Sequence, residues 1–201
     1  WVLAQRYDAV VANPPYMGSK YQTPAVKKYL KDAYKGYQRD LIRPCIDDHV
    51  DVVKEHGQLG FMTPFVWMFI SSYEQLRKRL IEEDVITSLI QLEYSGFDGA
   101  TVPICTFTLS KGHIASYTGS YIRLSDFRGA VNQGPKTLEA IQDRECGWFY
   151  KAKPDEFEKI PGSPIAYWTS SAMRDCFSNN PSFSEYSDTR IGLITGDNNK
   201  Y

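Results

Sequence analysis

Short apolar runs, each ended by a polar or proline-containing stretch, dominate the first half of the chain. Tyr7 to Ala12 is the first, and it stops abruptly at Asn13-Pro14-Pro15. A run of that length predicts a strand buried in a parallel sheet. The two prolines then block both strand pairing and an immediate helix start. Pro24 to Lys35 predicts a helix with proline in its first turn. From Asp40 to Glu55, Leu41, Ile42, Cys45, Ile46, Val50, Val52 and Val53 recur at roughly helical spacing. Gly57 is the expected end of that helix, and Leu59 to Thr63 the next buried strand. Ser72 to Gln75 has capping-box form ahead of a helix around Leu76 to Ile81. Val85 to Leu92 and Val102 to Leu109 complete the series as strands, expected to pair antiparallel at a sheet edge. Strands alternating with helices in this order predict a layered α/β domain.

Beyond Lys111 the texture changes. Gly, Ser, Pro, Asn and aromatic residues scatter without a long period. A strand is expected at Tyr121 to Leu124, and helices at Lys136 to Arg144 and Ser170 to Phe177. The longest apolar stretch, Leu59 to Ile70, is interrupted by Gly60, Thr63 and Pro64 and is too short to span a bilayer. No signal-peptide order opens the chain, so a cytoplasmic location and no membrane partner are expected. Cys45, Cys105, Cys146 and Cys176 form no Cys-x-x-Cys pair and no zinc-like spacing with His49, His56 or His113, so no metal is expected.

Net charge is -1, so the chain as a whole is no magnet for nucleic acid. Between Lys20 and Arg43, however, seven basic residues, including Lys20, Lys27, Lys28 and Lys31, face only Asp32 and Asp40. This stretch reads equally as a solvated helix face or as a surface that contacts phosphates.

Asn13-Pro14-Pro15-Tyr16 carries the candidate chemistry. It follows a hydrophobic strand, and ligands of open α/β sheets bind at the carboxyl ends of the strands. An exocyclic amine of adenine, or an amide, is a poor nucleophile because its lone pair is delocalised. Two acceptors on its two N–H bonds favour the pyramidal form in which that lone pair attacks. The Asn13 side-chain oxygen is one such acceptor and the Pro14 carbonyl the other. Groups fixed in advance toward developing charge are what lowers the barrier. Tyr16 offers an aromatic face to a planar substrate. No carboxylate base is needed, because the cationic product amine loses its proton readily.

The tetrapeptide resembles the catalytic motif of the methyltransferases that modify adenine N6 in DNA. The resemblance continues to about Lys111, through Gly57 to Pro64, Leu76 to Leu80 and the Phe97 loop, in the order of type IIG and related adenine methyltransferases. It implies the C-terminal half of a Rossmann-like sheet that uses S-adenosylmethionine, with residues 1–111 as a partial catalytic domain. Residues 112–201 would be a connector and the start of a target-recognition region, which the closing Gly192 to Asn198 resembles. Asn13, Pro14, Pro15 and Tyr16 would form the catalytic group, with Asn13 also touching the cofactor. Tyr16 and Phe97 would stack on a flipped adenine of double-stranded DNA. The less favoured alternative is that Phe97, beside Gly96 and Gly99, simply plugs the core. The closing segment is most similar to the methyltransferases of BREX phage-defence systems, which implies other defence proteins as partners.

One departure stands out. The family holds S-adenosylmethionine on a Gly-rich turn with an acidic ribose partner, and no Gly-x-Gly occurs in this chain. The chain is therefore expected to be an inactive fragment carrying the substrate side of the site. Two other functions fit the residues: methylation of a protein glutamine amide, which uses the same tetrapeptide, and a binding module for DNA or a defence partner without catalysis.

Overall fold

The first strand, β1 (Tyr7–Ala12), lies parallel to β2 (Val53–Pro64), with Val10 beside Leu59 and Ala12 beside Phe61. The computed structural model describes residues 5–34, 41–96 and 102–188. Between β1 and β2 run α1 (Pro24–Ala33) and α2 (Ile42–Asp51). After β2, two 3-10 turns lead into α3 (Glu74–Glu82), followed by β3 (Asp84–Gln91) and β4 (Ile104–Lys111). Then come β5 (Gly119–Arg123), α4 (Ala130–Gln142), β6 (Phe149–Ala152) and α5 (Ser171–Asn179). The six strands form one mixed sheet in the order β1-β2-β4-β3-β5-β6. β1, β2, β3 and β5 point the same way, so the loops that follow them all leave from one end of the sheet.

One face of the sheet carries the main core. Leu59, Phe61, Leu89, Phe107 and Leu109 pack there against Ile46 and Val50 of α2 and Leu76 and Leu80 of α3. The alternation required of a pleated strand puts Val11, Gly60, Met62, Ser88, Thr106 and Thr108 on the opposite face. Among the described residues that second face is covered toward β5, where Ile122, Leu124 and Ala140 gather Ile90, Phe127, Trp148 and Phe149 around them.

Several expectations change here. Gly57 does not end the helix: α2 stops at Asp51, and Gly57 lies inside β2. Lys111 Nζ donates to Val50 O (2.8 Å) and Val53 O (2.9 Å), a cation at the helix's negative end. Residues 54–57 loop out opposite the single residue Asp8, and His56 takes a positive φ of 62°. A Cβ on Gly57 would sit 2.9 Å from Asp8 O, so this return to the sheet needs glycine. The capping box before α3 is not made: Ser71–Tyr73 forms a 3-10 turn and Tyr73 occupies the cap without a side-chain bond. β3 and β4 do pair antiparallel, but in the middle of the sheet, because β5 joins β3 and β6 joins β5. The sheet thus continues past Lys111.

Arg77 of α3 ties the distal stretch to this frame. It is 1% exposed, and its guanidinium donates only to backbone carbonyls. Nε and Nη2 reach Gly162 O (3.0 and 2.6 Å), Nε also reaches Ser163 O (3.1 Å), and Nη1 binds Trp67 O (2.7 Å) and Ile70 O (2.8 Å). Burial lowers its pKa from the usual value. Arginine stays charged at any ordinary pH, and the carbonyl cage replaces the water it gave up. No helix among the described residues is long and apolar enough to cross a membrane.

Candidate active site

Strand β1 ends at Ala12, and the next four residues form an irregular segment at the carboxyl edge of the sheet. Pro14 is buried, while Asn13 and Pro15 face solvent. Tyr16 keeps 38% of its surface exposed. Its hydroxyl lies 2.9 Å from Asn13 Oδ1 and 3.1 Å from the Met62 carbonyl of β2, as donor to both. The two halves of the tetrapeptide are therefore fastened to each other and to the neighbouring strand. Partial burial raises the Tyr16 pKa above its ordinary value, with a smaller contribution from Cys105. The phenol stays protonated near neutrality and remains a donor. Beneath it, the buried Cys105 thiol is pushed up to about 12 by desolvation, and Trp67 Nε1 donates to Thr63 Oγ1 at 3.0 Å.

Asn13 also borders a groove of about 510 Å3 on the second face of the sheet. Val11, Gly60, Met62, Thr106 and Phe107 contribute to its floor. The polar side chains lining it are Asn13, Ser88, Thr106 and Thr108, without a carboxylate. Thr108 Oγ1 is bound to Ser88 Oγ at 2.7 Å and Thr87 Oγ1 at 2.6 Å. A ribose diol needs an acidic partner and a pyrophosphate-like or amino-acid moiety needs backbone N–H groups at a glycine turn. The groove supplies neither, so the described residues do not fit a complete S-adenosylmethionine site.

Downstream of Tyr16 the chain turns through 17–22 and enters α1, where Thr23 caps the helix by accepting from Val26 N at 3.3 Å. Lys20, Lys27, Lys28 and Lys31 are all exposed. Lys20 Nζ stands 5.8 Å from the centre of the Tyr21 ring. Lys27 and Lys31 are one helical turn apart, with Lys28 adjacent to Lys31 on the same flank. The structure thus brings Asn13 and Tyr16 into contact and sets the four lysines on the segment directly after them. Phe97 lies outside the described residues, as do 189–201. The loop leading toward it, 92–96, leaves β3 at the same end of the sheet, about 14 Å across three strand spacings from β1. One group at the site gave no signal in the sequence, the Met62 carbonyl, because a backbone acceptor has no residue signature.

Residues 2–97 match the family model described as Eco57I restriction-modification methylase. The adenine-specific methyltransferase PglX of Lacticaseibacillus casei (strain Zhang) is 31% identical over 204 residues, covering 98% of this chain and 17% of the relative. The adenine-specific methyltransferase BrxX of Escherichia coli O9:H4 (strain HS) is 34% identical over 180 residues, or 88% of this chain and 14% of the relative. The chain thus spans about a sixth of the length of these curated relatives. Among solved structures, the methyltransferase subunit of a type I restriction-modification system from Streptococcus thermophilus superposes with a TM-score of 0.59. The identity is 18%, and the match covers 82% of this chain and 38% of that one. That likeness shows the fold.

Proposed function

We propose that the chain, whose residues 2–97 match the Eco57I restriction-modification methylase model, carries the substrate side of a DNA adenine-N6 methyltransferase. The observation that carries the reading is the acceptor at the end of β1. Asn13 Oδ1 is held in place and already engaged by a hydrogen-bond donor, the Tyr16 hydroxyl, at 2.9 Å. An adenine amine entering the site offers the same kind of donor. Asn13 Oδ1 and the Pro14 carbonyl would accept its two N–H bonds, turning the nitrogen lone pair outward. S-adenosylmethionine, held by residues that the described part of this chain does not provide, supplies the methyl group.

The base must first leave the duplex. Tyr16 and Phe97 would hold the extruded ring, and Lys20, Lys27, Lys28 and Lys31 would track the neighbouring phosphates. Such contacts position the DNA without reading its sequence. The relatives PglX and BrxX are named as adenine-specific methyltransferases, which supports adenine as the target base; duplex DNA as substrate and phage defence as setting belong to the proposal.

Transfer of a radiolabelled methyl group by the full-length protein tests the reading. Label should enter adenine of duplex DNA and not protein. Asn13→Ala should lower the rate about 100-fold, corresponding to ~3 kcal/mol of lost transition-state stabilisation, with DNA affinity little changed. Label on protein glutamine, or normal turnover by Asn13→Ala, would refute it.

A further inference from the structure

Arg123 closes β5 at the same end of the sheet as the tetrapeptide. The strand register carries one row across from Ala12 through Phe61, Phe107 and Leu89 to Tyr121. Arg123 stands two residues beyond that row, level with Pro14. β5 lies four strand spacings from β1, or about 19 Å. Strand alternation turns Arg123 to the same face as Tyr121, the packed one.

An arginine at this place meets rings rather than acids. Its guanidinium carbon lies 4.7 Å from the centre of the Trp168 ring. Trp168 meets Phe69 edge-on at 5.6 Å, and Phe69 meets Phe65 edge-on at 6.1 Å. Phe65 and Phe69 lie on the turn that follows β2, whose Met62 carbonyl accepts from Tyr16. A part-buried aromatic ridge therefore leads along the rim of the sheet from the tetrapeptide to Arg123.

The charge itself is unanswered. Arg123 Nε is buried without a hydrogen-bond partner, and among the described residues no carboxylate forms an ion pair with the guanidinium. Arg77, by contrast, is enclosed by carbonyls, and Arg174 reaches Glu156 at 2.7 Å. In the loop after β5, Asp126 and Arg128 are both exposed and cancel in sign. A methionine or a glutamine would pack against Trp168 as well, so packing alone does not account for an arginine. Stacking occupies only the face of a guanidinium. Its edge keeps N–H donors in one plane, at the spacing of two phosphate oxygens.

A span of about 19 Å exceeds the ~12 Å width of the major groove. A duplex whose adenine enters beside Asn13 therefore brings a flanking phosphate, and not the target nucleotide, to this point of the rim. We propose that Arg123 is a phosphate-binding residue that holds the DNA backbone to one side of the target adenine. The proposal rests on DNA being the substrate, as read above. The two Nη nitrogens take two oxygens of one phosphate, and Trp168 holds the plane of the guanidinium.

Fluorescence anisotropy of a labelled duplex with the full-length protein, over a series of salt concentrations, tests this. Each phosphate that a protein neutralises adds about one to the slope of log affinity against log salt. Arg123→Gln should bind about tenfold more weakly at low salt. It should also lower the slope by about one, to the same extent on any sequence. Arg123→Met serves if Arg123→Gln does not fold. Arg123→Lys keeps the charge without the planar fork, so it should restore the slope but only part of the affinity. A purely structural role beside Trp168 would move the melting temperature and leave the slope alone. An unchanged slope in Arg123→Gln or Arg123→Met would therefore overturn the proposal. A wild-type protein that binds duplex without methylating adenine would refute the function while the slopes still decide the role of Arg123. One that binds no duplex would overturn both.

Discussion

The Tyr16 hydroxyl has one hydrogen to give and two oxygens facing it, Asn13 Oδ1 and Met62 O. In the substrate-free site it occupies the acceptor that the substrate amine needs, so its hydroxyl and its ring have separate consequences. Tyr16→Phe keeps the ring and frees Asn13; activity on duplex DNA should stay within a few-fold of wild type, without a rise in KM. Tyr16→Ala removes the stacking surface, worth about 1–3 kcal/mol per base, and should cost roughly 10- to 100-fold in kcat/KM. Steady-state kinetics of the two variants separate these roles, and a Tyr16→Phe as poor as Tyr16→Ala would give the hydroxyl the larger part. At this scale the sequence was a good guide where the chemistry is contiguous. Asn13 to Tyr16 stand side by side in the chain and need only the irregular segment that the prolines impose. It was a poor guide to Arg123, whose ring partner Trp168 and whose place on the rim are decided by the fold.

Among the elements, α3 depends on a charge arrangement that crosses three of them. Arg79 Nη1 lies 3.0 Å from Asp47 of α2 and 3.7 Å from Asp84 at the start of β3, and its Nε lies 3.3 Å from Glu83. Burial raises the pKa of both Asp47 and Asp84, against the pull of Arg79. Arg79→Met would leave Asp84 without its guanidinium and Asp47 with Arg43 alone, 3.2 Å away, and should destabilise the fold by about 3 kcal/mol. The sign with pH follows from the raised values. A carboxyl that binds its proton more tightly in the folded state loses stability as pH rises from its unfolded pKa through its folded one. The deficit of Arg79→Met should therefore be largest at neutral pH and shrink as pH falls into the ordinary carboxylate range. Urea melts at several pH values check this, and a pH-independent deficit would show that the aspartates are not its cause. The same elements show what periodicity can reveal. β1 to β4 were legible as strands from their apolar residues, but β1 is not the buried strand expected: none of its residues is buried, because it lies at the edge of the described sheet. The opening of β2 was not legible, because 54–57 bulge out between the paired residues Val53 and Gln58, and neither was the short β6, whose residues are recruited by β5 rather than by their own pattern.

For the molecule as a whole, the informative asymmetry is between the two faces of the sheet. One is packed. The other, from β1 to β4, presents Val11, Gly60, Met62 and Thr106 around the groove beside Asn13, and Val11 is 86% exposed. Among the described residues β1 is also an edge strand, paired to β2. An open edge next to an apolar face invites pairing with another chain. The isolated chain should self-associate with rising concentration, and Val11→Lys should suppress this without lowering the melting temperature. Sedimentation velocity over a concentration series is the measurement, and identical profiles for the two proteins would place the contact elsewhere. The sequence conveyed the α/β class at this scale because strands and helices alternate along it. It offered Tyr121 to Leu124 as a strand, but neither β6 nor the joining of both to the same sheet past β3, a long-range matter of which edge is free. Arg77 adds a kinetic side to this architecture. Its bonds to Gly162 and Ser163 join residues 85 and 86 positions apart, and its charge can shed water only once the surrounding core has closed. Contacts of such long range, bought late, belong to the descent from the transition state rather than to the climb. The carbonyl cage around Arg77 therefore acts chiefly as a brake on unfolding, lengthening the lifetime of the folded chain while leaving the speed at which it forms almost untouched.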